Sequence, residues 1–343
     1  MDEHYGQLGG ESVRAVTLDN GRIKARLITY GARLTELWVP DREGRPGDVV
    51  LGHETLEDYV ASKAYFGATV GRYGNRIARG RFRLDGRDHQ LDVNEGANHL
   101  HGGHGGFDRK KWTLGEVTAT RATFHAVSED GDMGYPGRCD LSASYELDGG
   151  ELRIVMAATT SAPTVVNVVH HSYFNLAGDG DVLAQEMRLA APFYTPVDGE
   201  LLATGAILPV EGTAFDFTAP KPIGRDIAEV GGTGVFEGGG YDHNWCLGGA
   251  GETLRDCAEI LDPASGRRMT LRTTEPGVQV YTGGYLTEAM PGKRGGTQRP
   301  YGGFTLETQK FPGSPNHPQF PSCVLRPGET YRHEMVLGFF ADA

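Results

Sequence analysis

Apolar and polar residues alternate along much of the chain, which is the pattern of half-buried β-strands. Residues 22–27 and 152–158 both carry an apolar side chain at every second position. Turn signals built on Asp, Asn and Gly separate such runs. Within 255–283 the pattern predicts a hairpin, with one strand ending at Leu261 and a second over 268–273. The sequence therefore predicts a protein built mainly of antiparallel strands.

Helical patterns are few and short. Only residues 54–62 and 223–230 favour a helix, and no linker, internal repeat or charge block divides the chain. A chain of 343 residues is long enough for two ordinary domains or for one large β-sandwich or barrel. We predict a single all-β domain over residues 1–343, a large antiparallel β-sandwich with long loops.

Composition narrows the range of partners. Glycine supplies 51 residues, about twice its usual share, and the absence of a Gly-X-Y period indicates many tight turns. The formal net charge of −12 disfavours nucleic acids and anionic membranes, because phosphate groups would be repelled. We therefore expect a small-molecule partner, no nucleic acid and no membrane, and a monomer or homodimer.

Cysteine usage and the N-terminal residues favour a reducing compartment. Cys139, Cys246, Cys257 and Cys323 are widely spaced and form no CxxC pair, so they fit neither a zinc site nor a dense disulfide framework. Residues 1–5 carry no basic stretch leading into an apolar run, and no segment is long and apolar enough to span a bilayer. We predict a cytoplasmic protein. Phosphate-loop and nucleophile-elbow motifs are also missing, which disfavours nucleotide cofactors and serine hydrolase chemistry.

Two polar clusters suit the recognition of hydroxyl groups. In residues 71–76, Asn75 and Arg76 offer several hydrogen-bond donors directly after an apolar run. In residues 241–245, Asp242 offers a carboxylate that can accept from adjacent hydroxyls. The alternatives are a surface turn for the first cluster and an Asx-type turn for the second.

Residues 98–104 contain three histidines. His99 and His101 lie on opposite faces if the backbone is extended, so one metal ion is not easily held by both. A metal set of His99, His101 and His104 requires the intervening glycines to fold the loop back. We favour a single histidine that donates to a ligand oxygen, and no metal.

A histidine and a glutamate in apolar surroundings form a candidate acid–base pair. Alternation over 165–174 predicts one strand, in which His170 and His171 face opposite sides. Glu307 lies in a strand-like run flanked by Phe304, Leu306 and Phe311, and burial of such a carboxylate raises its proton affinity, as suits a general base. The alternatives are a structural buried histidine and a solvent-facing glutamate. Held on opposite sides of a small polar molecule, the pair could move a proton without a cofactor.

Six motifs, taken in order, resemble those of the aldose 1-epimerase (galactose mutarotase) family. They are GRYGNRI (71–77), NHLHGG (98–103), HHSYFNL (170–176), YDHNW (241–245), PGVQVYTG (276–283) and FTLETQ (304–309). The resemblance covers nearly the whole chain and implies a galactose mutarotase-like supersandwich. It also implies interconversion of the α and β anomers of free aldohexoses such as galactose and glucose, with no cofactor or metal.

The resemblance also implies residue roles. Glu307 would be the base for the C1 hydroxyl, His171 the acid for the ring oxygen, and His101 a donor near that oxygen. Hydroxyl groups would be bound by Asn75, Arg76, Asp242 and Gln279. Sugar C–H faces would pack on aromatic residues such as Tyr173, Trp245 and Tyr281. His170 stands where relatives often carry asparagine and competes with His171 for the acid role. The contribution of residues 291–303 stays open.

Three rival functions remain. A glycoside hydrolase would use two carboxylates, Glu307 and Asp242, and leave the histidines without a role. A non-catalytic sugar sensor would lack the acid or the base. An epimerase of the same fold that acts on a phosphorylated hexose would need a cationic cluster, for which Arg72, Arg76 and Arg79 are candidates.

Overall fold

Antiparallel strands make up most of the structure, a computed structural model that describes residues 2–233, 240–248 and 253–342. One α-helix (α1, Leu56–Ala61) and five 3₁₀-helices (Ala78–Gly80, Phe107–Arg109, Asp132–Gly134, Ile227–Thr233 and Ser314–Asn316) interrupt them. The strands in chain order are β1 Asp2–Leu8, β2 Glu11–Asp19, β3 Lys24–Ile28, β4 Arg33–Pro40, β5 Pro46–Asp48, β6 Ala68–Val70, β7 Arg76–Ile77, β8 Arg81–Leu84, β9 Arg87–Gln90, β10 His99–Leu100, β11 Thr113–Val117, β12 Arg121–Ser128, β13 Cys139–Asp148, β14 Glu151–Thr160, β15 Thr164–Val165, β16 Val169–His171, β17 Tyr173–Phe174, β18 Glu186–Leu189, β19 Phe193–Thr195, β20 Leu208–Pro209, β21 Lys221–Pro222, β22 Asp242–Cys246, β23 Arg255–Leu261, β24 Arg267–Thr273, β25 Gly277–Tyr281, β26 Phe304–Gln309, β27 Val324–Leu325 and β28 Tyr331–Ala341.

Three large sheets share one core. The nine-stranded sheet has the order β11-β12-β13-β14-β28-β24-β23-β18-β21, the six-stranded sheet β17-β26-β25-β22-β19-β20, and the five-stranded sheet β1-β2-β3-β4-β5. Buried residues of all three belong to one apolar cluster, which contains Tyr145 and Leu337 of the first sheet, Trp245 and Leu306 of the second and Leu37 of the third. The all-β sandwich prediction is confirmed, because opposite sheet faces cover a common apolar layer.

Strand predictions based on alternation hold best in long hairpins. The hairpin predicted within 255–283 is present as β23 and β24, and the run 152–158 lies inside β14. The prediction of one strand over 165–174 is wrong. That segment is divided into β15, β16 and β17, which pair with β27, β6 and β26 respectively. The segment pairs with a different strand every few residues, so it forms three short strands although its apolar and polar residues keep alternating.

One of the two predicted helices is present. Helix α1 lies within 54–62, and the Thr55 hydroxyl caps it by accepting from the Asp58 backbone N–H. The prediction for 223–230 is only partly correct, since a 3₁₀-helix over Ile227–Thr233 replaces it. The backbone N–H groups of Ile223 and Gly224 donate to carbonyls across the chain and so leave no α-helical start. None of the helices in the described parts of the chain has the length and hydrophobicity that a bilayer-spanning helix requires.

Candidate active site

A cavity of about 250 Å³ opens beside the six-stranded sheet and gathers the residues singled out in the sequence. We call it the central cavity; its lining includes Asn75, Arg76, His101, His171, Asp242 and Glu307. Gln279 is not part of this lining and instead donates to the Asp242 carboxylate. Two other cavities, of about 300 Å³ near Lys293 and about 580 Å³ near Lys310, are no smaller. Size therefore does not select the site, whereas the convergence of buried titratable groups does.

Strand β26 brings Glu307 into the central cavity. Phe304 and Leu306 belong to the apolar core, so the alternate residues, Thr305, Glu307 and Gln309, face the other way. The Thr305 hydroxyl donates to Oε1 of Glu307 at 2.9 Å. The other carboxylate oxygen, Oε2, is buried and has no hydrogen-bond partner in the described structure. This oxygen is free to accept a proton from a ligand.

His171 is the histidine that faces the cavity. The Nε2 atom of His171 lies 3.4 Å from Oε1 of Glu307, and Nδ1 has no hydrogen-bond partner among the described residues. His170 points to the opposite side of β16, where Nε2 lies 2.7 Å from the Ser172 hydroxyl. The opposite orientation of the two histidines is as predicted. The expectation that His171 and Glu307 flank a ligand from opposite sides is wrong, because they are neighbours.

Burial makes both members of this pair favour the neutral form. Loss of solvent and, to a smaller extent, the nearby Asp242 carboxylate raise the pKa of Glu307 from 4.5 to about 8. Loss of solvent lowers the pKa of His171 from 6.5 to about 3. At neutral pH the pair therefore holds one proton, carried by Glu307 in the unliganded protein. One proton shared between an acid and a base is what reversible proton transfer needs.

His101 is held as a hydrogen-bond donor. Pairing of β7 with β10 brings Asn75 beside His101, and the Asn75 backbone N–H donates to Nδ1 of His101 at 3.1 Å. Since Nδ1 accepts, the proton of the neutral ring is on Nε2. Gly102 allows this turn, because a Cβ atom there would lie 1.8 Å from the carbonyl oxygen of Gly71. The ring centroids of His101 and His171 are 5.2 Å apart.

The histidines of the 98–104 loop do not form a metal set in the structure. Both ring nitrogens of His99 are engaged, by the Asp92 carbonyl and the Tyr135 hydroxyl, and His104 lies at the surface beside the Asp92 carboxylate. A different group, His101, His171 and Glu307, has ligand atoms within 4.8 Å of one another. The Asn75 hydrogen bond opposes metal ligation there, because Nε2 of His101 would have to lose the proton that this bond keeps in place.

Asp242 lies in a network of polar side chains at one end of the cavity. Its Oδ1 accepts from Nε2 of Gln279 at 2.7 Å, and its Oδ2 lies 3.9 Å from the guanidinium of Arg76. Arg76 also donates twice to the carboxylate of Glu95, at 2.5 and 2.8 Å. Burial raises the pKa of Asp242, and the Arg76 charge and the Gln279 donor lower it. Both carboxylates thereby fix Arg76 and share its charge.

Sequence reasoning missed several residues of the cavity wall, of which Glu95 and Tyr65 contact predicted site residues. Glu95 sits in a polar loop with no recognisable signal. Tyr65 precedes the predicted strand, and its ring lies 4.7 Å from that of His101 and 5.5 Å from that of His171. Tyr173 and Tyr281 line the cavity as expected. The expectation for Trp245 is wrong, since its side chain is buried on the core face of β22.

The three arginines offered for phosphate binding do not converge. Arg72 is buried and donates to the backbone carbonyls of Ser128, Pro136 and Gly137. Arg79 is exposed and pairs with Glu200 at 3.1 Å, while Arg76 is already bound to Glu95. Segment 291–303, whose role was open, contributes no residue to the lining of the central cavity. Its Lys293 binds the buried Asp48 carboxylate at 2.8 Å, and the preceding Leu286 and Met290 reach the cavity wall.

Comparisons with known proteins agree with the motifs and the fold. A family model described as aldose 1-epimerase matches residues 14–338. Galactose mutarotase from Rattus norvegicus is 44% identical over 98% of this chain and 97% of its own length. Aldose 1-epimerase from Escherichia coli K12 is 33% identical over 97% of each chain. The crystal structure of an aldose epimerase homologue from C. elegans superposes with a TM-score of 0.88 at 27% identity, covering 96% of this chain and 99% of the other. The galactose mutarotase-like fold is thus confirmed, and the chain belongs to the aldose 1-epimerase family.

Proposed function

We propose that the central cavity interconverts the α and β anomers of free aldohexoses, galactose and glucose among them. The observation that carries the proposal is the buried pair of His171 and Glu307, whose Nε2 and Oε1 atoms lie 3.4 Å apart in the lining of the cavity. The two oxygens that exchange protons in this reaction, the C1 hydroxyl and the ring oxygen, are bonded to the same carbon. Neighbouring catalytic groups therefore suit it better than groups on opposite sides.

Of the two sugar oxygens, Glu307 exchanges a proton only with the C1 oxygen in the proposed mechanism, and His171 exchanges a proton only with the ring oxygen. For ring opening, the proton of the pair first passes from Glu307 to Nε2 of His171, which lies 3.4 Å from Oε1 of Glu307. The Glu307 carboxylate then takes the proton of the C1 hydroxyl. The C1–ring-oxygen bond breaks as the C1 carbonyl forms, and His171 protonates the ring oxygen. Rotation about C1–C2 presents the other carbonyl face. Reclosure then returns one proton to His171 and the other from Glu307 to the new C1 hydroxyl.

The remaining residues of the cavity would bind and orient the sugar. The Nε2–H of His101 would donate near the ring oxygen as charge develops. Asn75, Arg76, Asp242 and Gln279 would bind hydroxyls, and Tyr173 and Tyr281 would contact C–H faces. Asp242 and Glu95 compensate the charge of Arg76, so a phosphate would find no unpaired arginine there. This favours neutral sugars over phosphorylated ones, and the presence of both acid and base argues against a sensor.

Polarimetry tests the proposal directly. Freshly dissolved α-D-galactose and α-D-glucose should approach their final rotation faster with the protein, and equally fast with EDTA present. The final rotation itself should not change, because a catalyst leaves the equilibrium unaltered. No acceleration with any free aldohexose would refute the proposal. Loss of activity in EDTA would instead indicate a metal ion bound by His101, His171 and Glu307.

The pH dependence of kcat/KM should report the proton of the pair. Above about pH 8, Glu307 loses this proton and no acid remains, so kcat/KM should fall. Below about pH 3, His171 gains a second proton and no base remains. Between these pH values the protonation of the pair does not change, so kcat/KM should stay constant. Initial rates in buffers of constant ionic strength measure this profile. A fall of kcat/KM between pH 7 and 6, typical of an unperturbed histidine, would contradict this reading.

Replacing Asp242 with asparagine should chiefly weaken sugar binding. The variant loses a charged acceptor, so we expect KM to rise roughly tenfold with kcat changed by less than about threefold. The Asp242 charge also raises the pKa of Glu307, so the fall in kcat/KM at high pH should begin at a lower pH. A decrease in kcat alone would assign Asp242 to the chemical step instead.

We further propose that residues 1–343 form one domain that acts as a monomer or homodimer in the cytoplasm. The family match over 14–338 supports one unit. The four cysteines are buried and free, as in a reducing compartment. Equilibrium ultracentrifugation would decide between monomer and homodimer.

A further inference from the structure

The floor of the central cavity is a regular array of side chains from three neighbouring strands. Strand β25 lies between β22 and β26, and the register aligns residues in rows across them. Because side chains alternate, every second row lies on the same sheet face as Glu307. The three rows are Asp242–Tyr281–Thr305, Asn244–Gln279–Glu307 and Cys246–Gly277–Gln309. The first two rows contain the proposed binding and catalytic residues, whereas the buried Gln309 has no role so far.

Gln309 donates to both amide side chains of the middle row. Its Nε2 lies 3.2 Å from Oδ1 of Asn244 and 3.3 Å from Oε1 of Gln279. Its own carbonyl oxygen, Oε1, has no hydrogen-bond partner in the described structure. Both N–H groups of this amide are therefore directed at neighbouring side-chain oxygens.

Gly277 leaves the space in which these amides meet. A Cβ atom on Gly277 would lie 2.5 Å from Oδ1 of Asn244 and 2.9 Å from the ring of Phe311. Since Gly277 stands between Cys246 and Gln309 in its row, any side chain there would separate Gln309 from Asn244. The absence of a side chain is thus a requirement of the network.

The direction of these hydrogen bonds fixes which end of Gln279 faces Asp242. Because Oε1 of Gln279 accepts from Gln309, its Nε2 points to Oδ1 of Asp242, at 2.7 Å. An amide turned the other way would present its oxygen to a carboxylate, which is repulsive. The N–H donor of Gln279 lowers the pKa of Asp242 and so stabilises its charged form, whereas burial raises this pKa.

We propose that Gln309 is a positioning residue that fixes the amide of Gln279 and, through it, the charged Asp242 that binds the sugar. The proposal rests on the function proposed above. In the described structure the hydrogen bonds of Gln309 go to Asn244 and Gln279 and not to Asp242 or the reacting pair, so we expect its effect to pass through Gln279. This distinguishes it from a residue that only stabilises the sheet.

A double-mutant cycle on KM tests this transmission. Gln309→Met keeps the length of the side chain and removes both donors, and we expect KM for galactose to rise roughly five- to tenfold with kcat changed by less than about threefold. In a Gln279→Met background the same substitution should leave KM unchanged. Thr308→Val is the matched control, since Thr308 lies on the core face of β26 beside His333. It should lower the melting temperature without changing KM.

Two results would overturn the proposal: an unchanged KM in Gln309→Met, or an equal rise in KM with and without Gln279. Gln309→Leu, which also removes both donors and adds no charge, replaces the methionine variant if that one does not fold. A readout independent of activity is the exchange rate of the Gln279 side-chain amide protons, observed by NMR in protein labelled with ¹⁵N-glutamine. Slow exchange in the native protein and fast exchange in Gln309→Leu support the proposal even if no sugar is turned over. Equal rates in both refute it.

Discussion

Replacing Glu307 with glutamine is expected to lower kcat for galactose by about 10²–10⁴-fold, the usual contribution of a general base. Glutamine has nearly the same shape and can still accept from the Thr305 hydroxyl. It cannot take a proton from the C1 hydroxyl, so the loss should appear in kcat far more than in KM. Polarimetry and ¹³C NMR exchange between the anomers both measure this rate.

The same substitution should make the protein more stable. The pKa of Glu307 is about 8 in the folded protein and about 4.5 when unfolded, so between these pH values only the folded state binds this proton. The free energy of unfolding therefore falls as pH rises from about 4.5 to about 8. Glutamine removes that loss, and at pH 8 the melting temperature should rise by on the order of 5 °C. Enzymes commonly lose some folding stability by keeping a catalytic group buried, because activity requires that group.

Glu275→Gln is the matched control for the stability effect. Glu275 is equally buried, but Lys310 lies 2.8 Å from its carboxylate and the Tyr331 hydroxyl donates to it at 3.1 Å. Removing this paired charge should lower the melting temperature and leave kcat unchanged. A lower melting temperature for Glu307→Gln as well would mean that the Glu307 carboxylate is stabilised by its surroundings, and its raised pKa would then be wrong.

The sequence predicted the fold class and most of the cavity residues because both depend on alternation and on short motifs. In β26 the run Phe304-Thr305-Leu306-Glu307 already separates a core face from a polar face. The same rule separates His170 from His171, but it cannot say which face is the cavity. That choice follows from the pairing of β16 with β6, which is a contact distant in sequence.

Residues without a local signal could not be predicted. Glu95 lines the cavity because it binds Arg76, which is 19 residues away in sequence. Tyr65 lines it because its ring packs on two histidines, His101 and His171, from other segments. Trp245 fails for the opposite reason: it is the last residue of the motif 241–245, yet alternation turns its side chain into the core. Local pattern thus predicts which face a residue takes, and tertiary pairing decides what that face meets.

Replacing His171 is expected to remove the acid of the pair. His171→Asn should lower kcat by about 10²–10⁴-fold, since asparagine cannot carry the proton to the ring oxygen. His171→Ala should be similarly slow, and it also vacates a space next to Glu307 inside a cavity of about 250 Å³. Added imidazole should then restore part of the activity of the alanine variant, in proportion to its concentration, and should not restore Glu307→Gln.

His170 provides the decisive control, because it is adjacent in sequence and points away from the cavity. Its Nε2 lies 2.7 Å from the Ser172 hydroxyl and its ring packs against Tyr145. His170→Asn should therefore lower the melting temperature, since it removes a buried hydrogen bond. Its kcat should stay within about threefold of the native value, since His170 does not face the cavity. A large loss of kcat in His170→Asn, with His171→Asn still active, would move the acid to the other face of β16. The 3.4 Å separation of His171 and Glu307 makes the first outcome the expected one.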